Sequence, residues 1–232
     1  MDKLLIITGG SRGIGLATIR AFVSDGYRAI NLSRSPTDLD LATQCKVDLS
    51  DTDWPHQMGG DLLDLVGTPD RIVLVHNAAL LLKDSLQNAP EFSRVMQVNL
   101  IAAQQLNQLL LPRMKPGSSI LYLGSTLSKK AVANTLTYST SKHAVLGLMR
   151  ATCQDLIGQS IHTASICPGF TDTEMLRDHI GQDEEIMKML GEANAFGRLV
   201  NPEEIANCLK FCAENPAING AEIDANLGQI EH

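Results

Sequence analysis

The stretch that most limits how this chain can fold lies near its start, where a short apolar run meets a glycine-rich turn. Residues 4–7 are typical of a buried strand, residues 8–15 hold four glycines, and a helical pattern then continues to Gly26. Glycine lets the backbone turn tightly and approach a phosphate closely, while the start of a helix offers unpaired N–H groups and a positive dipole end. Strand, glycine turn and helix together predict the phosphate-binding turn of a dinucleotide-binding unit.

The end of the predicted second strand, residues 28–32, is where such a site distinguishes NAD from NADP. An acidic residue there binds the ribose hydroxyls of NAD, but this chain has no acid between Gly26 and Asp38. Arg34 follows the strand instead, Arg12 lies in the glycine turn, and a guanidinium pairs well with phosphate oxygens. Two solvated surface arginines are the alternative interpretation. The missing acid favours NADP(H) over NAD(H).

Further along the chain, short apolar runs alternate with helical segments. The remaining predicted strands are residues 45–49, 71–76, 120–124, 161–167 and 221–225. The predicted helices are residues 54–66, residues 90–114, and two that begin near Thr137 and at Pro202. This alternation is typical of βαβ units. It predicts an α/β fold: a Rossmann-type, doubly wound parallel sheet of about seven strands with helices on both faces, in a single domain over residues 1–232.

Tyr138 and Lys142 form a second motif, four residues apart at the start of a predicted helix. That spacing places them on one helix face, where the ammonium favours the phenolate and lowers the pKa of the tyrosine toward the range a general acid or base needs. Ser125 follows a predicted strand, so its hydroxyl is expected at the carboxyl edge of the sheet, where ligands bind in such folds. A lone Tyr–Lys pair is more often an ordinary surface pair, so this assignment depends on the rest of the chain.

Charge and composition argue against several classes of partner. The net charge is −7 and no basic run is longer than Lys129-Lys130, so nucleic acid is not an expected partner. The cysteines lack metal-ligand spacing, which predicts reduced thiols and no metal site. No stretch reaches the ~18 apolar residues of a membrane span, and the first residues lack the form of a signal peptide. We therefore expect a cytoplasmic protein with no membrane partner.

In this order, the motifs resemble those of the short-chain dehydrogenase/reductase family. The family's T-G-x-x-x-G-x-G turn is met by residues 8–15, its N-N-A-G motif partly by residues 76–79, and Y-x-x-x-K by residues 138–142. Single matches are Asn99, Ser125, Asp48 with Leu49, Pro168 with Gly169, Thr171 and Thr173. The resemblance covers nearly the whole chain. It implies an NADP-dependent oxidoreductase similar to carbonyl reductases.

The resemblance implies catalytic roles for four residues. Tyr138 would exchange a proton with the substrate oxygen as hydride moves, Ser125 would hydrogen-bond that oxygen, and Lys142 would lower the tyrosine pKa and bind the nicotinamide ribose. Asn99 would hold, through its backbone carbonyl, a water that relays protons from Lys142 to solvent. Cofactor contacts are implied for Gly9, Ser11, Arg12, Gly13, Ile14, Gly15, Ser33, Arg34, Asp48, Leu49, Asn77, Ala78, Ala79, Tyr138, Lys142, Pro168, Gly169, Thr171 and Thr173.

Two positions depart from the family pattern. His76 stands where the family has the first asparagine of its motif, and Ala79 replaces the glycine, so the local backbone of this loop is in question. The preferred interpretation is a carbonyl reductase that transfers hydride between NADP(H) and a ketone, aldehyde or secondary alcohol. The alternatives are an NAD-dependent alcohol dehydrogenase and a non-catalytic protein that senses NADP(H). The intact set of four catalytic positions counts against the latter.

Residues 173–197, called the lid segment below, are rich in methionine and acids. They predict two short amphipathic helices, for which the preferred interpretation is a lid that closes over the substrate and the alternative a solvated helical hairpin. Because basic residues are scarce there, we expect a neutral, largely apolar ketone or diketone. Its predicted contacts are Met175, Leu176, and Met187 or Met189.

The predicted helix over residues 90–114 is apolar on more than one face, which indicates burial on several sides. Burial within one subunit is the simplest explanation. Members of the family pair this helix across a twofold axis, so the resemblance implies a homodimer or homotetramer.

Overall fold

A single parallel sheet organises the computed structural model, which describes residues 1–37 and 40–229. Its strand order is β3-β2-β1-β4-β5-β6-β7, and each neighbouring pair is parallel. The strands are β1 (Lys3–Thr8), β2 (Arg28–Ser33), β3 (Thr43–Lys46), β4 (Arg71–His76), β5 (Ser119–Leu123), β6 (His162–Pro168) and β7 (Ala221–Ala225). The predicted Rossmann-type, doubly wound sheet in a single domain is therefore confirmed.

The helices connect successive strands. They are α1 (Gly13–Val23), α2 (Trp54–Val66), α3 (Phe92–Met96), α4 (Ala102–Leu110), α5 (Leu136–Asp155), α6 (Glu174–Ile180), α7 (Glu184–Glu192) and α8 (Pro202–Glu214). A π-helical turn, Gln97–Ile101, joins α3 to α4. Within the described ranges, no helix is both long and apolar enough to cross a membrane.

Alternate residues of β1 belong to two separate hydrophobic cores. Leu4 and Ile6 pack with residues of α2, α4 and α5, whereas Leu5 and Ile7 pack with residues of α1 and α8. Successive side chains of a strand point to opposite faces of the sheet, so a strand covered on both faces is apolar throughout. The continuous apolar run that predicts β1 therefore reflects helices on both sides of the sheet.

Two predicted elements differ from the structure. The third strand is Thr43–Lys46, so Asp48 and Leu49, which the sequence placed in that strand, lie beyond its end. This is an edge strand paired only with β2, so half of its backbone groups have no strand partner to extend the pairing. The helix predicted over residues 90–114 is interrupted by the π-helical turn and begins at Phe92.

Because all strands are parallel, their carboxyl ends meet at one edge of the sheet. The residues that follow β1, β4, β5 and β6 are therefore neighbours there, although they are far apart in the sequence. This edge collects the sequence motifs described above.

Candidate functional site

The glycine turn after β1 has a shape that only glycine permits. Gly9 and Gly13 have φ of +68° and +53°, the left-handed region that side chains disfavour. A Cβ on Gly15 would overlap the carbonyl oxygen of Gly9 and lie 2.7 Å from Nδ2 of Asn77. The turn therefore packs its backbone directly against the start of α1.

The start of α1 is suited to an anion. No side chain caps its first turn, whereas α6 and α7 are capped by Thr173 and Asp183. Uncapped N–H groups at a helix start, together with the helix dipole, bind phosphate. A Cβ on Gly13 would lie 3.2 Å from Cγ2 of Thr173, so Thr173 borders the same turn. These residues fit the phosphates of a dinucleotide.

Buried side chains hold this turn in place. Asn77 Nδ2 donates to the carbonyls of Thr8 and Gly9, at 2.9 Å each. The Thr8 hydroxyl accepts from the backbone N–H groups of Asn77 and Ala78, at 3.0 Å each. Asn31 of β2 accepts from Gly10 N at 2.8 Å through Oδ1. The structure thus brings the glycine turn and the residues after β4 together, as the motifs predicted.

The end of β2 exposes the residues predicted to distinguish the cofactors. Arg34 is exposed, while the Ser33 hydroxyl donates to Ser35 O at 2.5 Å. Asp48 accepts from Ser50, and this hydrogen bonding is the main reason that its pKa is lowered, with a smaller contribution from the Arg34 charge. Arg12 lies 3.7 Å from Asp178 of α6, with both side chains largely exposed. Both arginines are therefore accessible to a ligand.

Lys142 and Tyr138 lie together at the start of α5. Lys142 is 4% exposed, and its Nζ donates to Leu123 O at 2.7 Å. Nζ lies 5.5 Å from the centre of the Tyr138 ring, which is partly exposed. The two side chains share one helix face, as their spacing predicted.

The expected lowering of the Tyr138 pKa is wrong for this structure. Burial raises the pKa of Tyr138 to about 12, and a hydrogen bond with the Ser125 side chain offsets only part of that rise. Burial also lowers the pKa of Lys142 to about 8, so this lysine is a weaker cation than an exposed one. Desolvation, which is not visible from the i, i+4 spacing, dominates both groups.

Ser125 is fixed by a local capping arrangement after β5. Its hydroxyl accepts from Leu127 N at 3.1 Å, and its own N–H donates to Ser128 Oγ at 3.0 Å. The preceding Gly124 leaves no room for a side chain, because a Cβ would lie 2.6 Å from Sγ of Cys167. The serine therefore faces the site from a backbone held against β6.

Asn99 lies in the π-helical turn, buried, with its side chain fully engaged. Its Oδ1 accepts from Leu80 N at 2.7 Å, and its Nδ2 donates to Leu80 O at 3.1 Å and to Ser141 Oγ at 2.9 Å. The Ser141 hydroxyl in turn donates to Tyr138 O at 2.8 Å. Asn99 therefore joins the loop after β4 to the helix that carries the tyrosine and lysine.

Asp84 is a site residue that the sequence did not reveal. Its carboxylate accepts from Thr137 N at 3.1 Å and also from the Thr137 hydroxyl, at the start of α5. An acid at a helix N-terminus satisfies free N–H groups and complements the dipole. The two residues are 53 positions apart, so no local pattern marks the contact. Asp84 therefore fixes the N-terminal end of α5, the helix that carries Tyr138.

The loop after β6 completes the edge. Gly169 N donates to Ala225 O at 3.1 Å, and a Cβ on Gly169 would lie 2.8 Å from Cβ of Asn226. The Thr171 hydroxyl donates to Gly169 O at 3.0 Å. Pro168, Gly169 and Thr171 thus form a tight turn that leads into Thr173 and α6.

The lid segment contains two helices, as predicted, and they divide its methionines. Met187 is 4% exposed whereas Met189 is 59% exposed, and Met175 and Leu176 are half-buried. Between α6 and the residues before α5 lies an open cleft of about 470 Å³. Its lining includes His179 from α6, Lys83, Asp84 and Asn88 from the loop after β4, and residues 132–135. The cleft is more polar than the sequence suggested.

One group of potential metal ligands lies beside β7. Cys167, Glu222 and Asp224 bring their ligand atoms within 4.8 Å of one another. Lys129 lies 2.8 Å from each of the two carboxylates, and Arg150 lies 3.0 Å from Glu222. Cationic side chains already neutralise these acids.

Comparisons with known proteins agree with this geometry. The family model described as Enoyl-(Acyl carrier protein) reductase matches residues 9–229. A 3alpha-hydroxysteroid dehydrogenase from Mediterraneibacter gnavus is 30% identical over 234 residues, which cover 93% of this chain and 91% of that protein.

Two solved structures, one with NADPH and one with NADH, are similar to this chain. One is a blue fluorescent protein from a metagenomic library in complex with NADPH, with a TM-score of 0.86, 26% identity and 97% of each chain covered. Another is a 4-hydroxyisoleucine dehydrogenase mutant complexed with NADH and succinate, with a TM-score of 0.86, 25% identity, and 97% of this chain and 98% of that chain covered. The family match extends over the glycine turn, the Tyr–Lys pair and the loop after β6. The chain therefore belongs to the short-chain dehydrogenase/reductase family of oxidoreductases.

Proposed function

We propose that this protein is an NADP(H)-dependent carbonyl reductase. The observation that carries the proposal is the meeting of Ser125, Tyr138 and Lys142 at the carboxyl edge of the sheet, next to a turn suited to dinucleotide phosphates. Bound NADPH supplies the hydride. Asn77, Thr173 and the start of α1 would hold the phosphate side, and Lys142 would contact the nicotinamide ribose.

Tyr138 is the proposed proton donor. Its phenol is neutral near pH 7, and the pKa raised by burial to about 12 keeps it so, which lets it donate a proton to a carbonyl oxygen. Ser125 hydrogen-bonds that oxygen where negative charge develops. In the reverse direction the same tyrosine would accept the proton of an alcohol.

The preference for NADP(H) is supported by the arginines. Arg12 and Arg34 are both exposed near the end of β2 and the glycine turn, and the chain has no acid at the end of β2 to bind a ribose diol. The similar structures include complexes with NADPH and with NADH. The proposed preference for NADP(H) therefore rests on the residues of this chain and not on the comparison. A 2′-phosphate would pair with a guanidinium.

For the substrate we propose a neutral ketone or diketone that reaches Tyr138 through the cleft beside α6. Lys83 at the rim is accompanied by the carboxylate of Asp84, so the cleft lacks the clustered positive charge that a polyanion requires. Met187 is the inward methionine of the lid segment and Met189 the outward one. None of the four predicted apolar contacts lines this cleft, to which the lid segment contributes His179, so a contact with Met187 would require the lid segment to move.

We propose that two or four copies assemble through the helices that follow β4. Phe92 at the start of α3 and Ile101 in the π-helical turn are 38% and 42% exposed. These exposed apolar side chains support the proposal together with the pairing that the family resemblance implies. A monomeric mass by light scattering would contradict this assembly.

A cofactor and substrate screen tests the function. The purified protein is incubated with a panel of ketones, diketones and aldehydes, once with NADPH and once with NADH, and loss of reduced-nicotinamide absorbance is followed. We expect turnover of at least one neutral ketone, faster with NADPH, and none with the Tyr138→Phe variant. Turnover that prefers NADH contradicts the cofactor assignment. Cofactor binding without turnover of any substrate would favour a sensor.

A further inference from the structure

A buried chain of hydrogen bonds begins at His76, the residue that replaces the family's asparagine. Its Nε2 lies 2.7 Å from Oδ1 of Asn107. Asn107 Nδ2 donates to the Tyr122 hydroxyl at 2.7 Å, and that hydroxyl lies 2.9 Å from Oγ1 of Thr152. Thr152 donates to Leu148 O at 2.8 Å. The chain thus links β4 to α5 through the buried face of the sheet.

The direction of each bond follows from the last member. Thr152 has one hydroxyl hydrogen and gives it to a carbonyl, so it must accept from Tyr122. Tyr122 then accepts from the amide of Asn107, whose oxygen is left to accept from Nε2 of His76. The network therefore places the proton of His76 on Nε2 and leaves Nδ1 as an acceptor.

Nδ1 of His76 is buried and has no hydrogen-bond partner within the described ranges of the chain. His76 is 8% exposed, and burial lowers its pKa to about 4, so Nδ1 stays a bare acceptor near neutral pH. His76 lines a small cavity of about 10 Å³ together with Thr8, Asn99 and Lys142. A cavity of that size holds about one water molecule.

The other groups around the cavity suit the same water. Lys142 has three N–H bonds and gives one to Leu123 O, so it has hydrogens to offer. The Asn99 amide is already committed to Leu80 and Ser141, so this side chain does not compete for the hydrogens of the water. Besides Lys142 and His76, the one titratable residue of the lining is Tyr122.

We propose that His76 is a positioning residue for proton return to Lys142: the relay water that the family resemblance implies beside Lys142 lies in this cavity, accepts from Lys142 and donates to Nδ1 of His76. The chemical meaning of this step rests on the proposed function. When Tyr138 gives its proton to the substrate, a proton from Lys142 replaces it. The water then passes a proton from solvent to the lysine, so that one proton is taken up from solvent for each one given to the substrate and the water itself is unchanged. His76 remains neutral and fixes the orientation of that water.

The first test is spectroscopic and independent of turnover. Protein labelled with ¹⁵N-histidine is studied by NMR, and the His76 signals are assigned with the His76→Gln variant. We expect a protonated Nε2 and an unprotonated Nδ1 whose shift shows that it accepts a hydrogen bond. A proton on Nδ1, or an unprotonated Nδ1 without a hydrogen bond, would overturn the proposal.

The second test compares two substitutions of one residue. The Oδ1 of asparagine reaches the position of Nδ1, whereas the amide of glutamine reaches that of Nε2. We expect His76→Gln to lower kcat about tenfold, the effect of one lost hydrogen bond, with KM for NADPH unchanged. His76→Asn should retain most of kcat although it loses the contact with Asn107. A purely structural role predicts the opposite order.

A matched control is the second buried histidine. His162 at the start of β6 is 4% exposed and bonds Cys212 O at 2.8 Å, at the opposite edge of the sheet. His162→Gln should leave kcat unchanged, and an equal loss there would show a general effect of stability and reject the role of His76. If the protein turns over no substrate, the proposed function fails while the NMR result still decides the water site.

Discussion

The two sides of the candidate site are built in different ways. The floor, defined here by Asp84, Asn99, Tyr138 and Lys142, is held by buried hydrogen bonds that join α5 to the loop after β4, to β5 and to the π-helical turn. In the lid segment, ion pairs at or near the surface join Arg177 to Asp172 and Glu184, and Arg12 to Asp178. Its buried side chains are Met187 and Asn194, and Asn194 Nδ2 donates to Gly191 O and Arg198 O.

This contrast assigns the positions of the Tyr138 and Lys142 side chains to the floor, and access to them to the lid segment. Buried hydrogen bonds are costly to break because each lost partner leaves an unsatisfied group, so the floor keeps the tyrosine and lysine in place. Exposed ion pairs contribute little and are screened by salt, so the lid segment, which depends partly on them, is less firmly fixed than the floor. Substitutions in the floor should therefore change chemistry and stability much more than substitutions in the lid segment.

The largest effect is expected at Tyr138. Tyr138→Phe keeps the ring and removes the transferable proton, so kcat should fall at least ~100-fold, the usual scale of general acid catalysis. NADPH affinity, measured by fluorescence titration, should change little. If the variant keeps full activity, Tyr138 is not the proton donor, and the expected difference between substitutions in the floor and in the lid segment is wrong.

The next effect concerns the support beneath that tyrosine. Asp84→Asn keeps the shape but weakens the hydrogen bonds to Thr137, so the free energy of unfolding should fall by about 2 kcal/mol. Urea denaturation measures this value, and kcat should fall as well because α5 is less well fixed. Asp183→Asn, which alters the exposed cap of α7 in the lid segment, serves as the matched control and should cost less. Equal losses in both variants would contradict the contrast.

A smaller effect is expected on cofactor choice. Arg34→Ala should reduce the preference for NADPH over NADH, measured as the ratio of kcat/KM values, about tenfold because one charged hydrogen bond to the 2′-phosphate is lost. Arg20→Ala removes an exposed arginine from the solvent side of α1 and should leave the ratio unchanged. If the two variants behave alike, Arg34 does not contact the phosphate.

The smallest effect sharpens the view of the lid segment. Asp178→Asn removes the carboxylate that pairs with Arg12, so this arginine becomes free for a 2′-phosphate and KM for NADPH should fall about twofold, as expected for an exposed pair. Glu192→Gln, an exposed acid of α7, should have no such effect. A change in kcat as large as that of Asp84→Asn would show that the lid segment is as tightly coupled to the chemistry as the floor.

The parts of the fold that follow from local patterns could be predicted from the sequence. The apolar runs give six of the seven strands to within a residue or two, because buried parallel strands are apolar on both faces. The third strand is short and at the edge, where apolar pattern is weak, and its predicted end was wrong. The glycine turn and the Tyr–Lys spacing are local as well, so their positions at the site followed.

The rest depends on contacts between distant residues. Asp84 and Thr137 meet across 53 positions, and His76 and Asn107 across 31, and neither contact leaves a mark in the local sequence. The pKa values of Tyr138 and Lys142 depend on how many atoms surround them, which spacing does not report. Sequence therefore predicted which candidate catalytic residues meet at the carboxyl edge of the sheet but missed the side chains that hold and tune them.

The π-helical turn at Gln97–Ile101 determines how far the side chains of α4 are rotated about the helix axis relative to those of α3. Each residue of an α-helix advances the chain by about 100°, and a π-turn holds one residue more than α-helical bonding would, so every side chain of α4 is rotated relative to α3. This rotation explains part of the distribution of apolar residues around the predicted helix, which had indicated burial on several faces. Removing one residue there would keep a helix but turn Leu106 and Leu110, both fully buried, away from the sheet. We therefore expect that an insertion in this helix combined with a deletion, which restores the rotation, is tolerated better than either change alone.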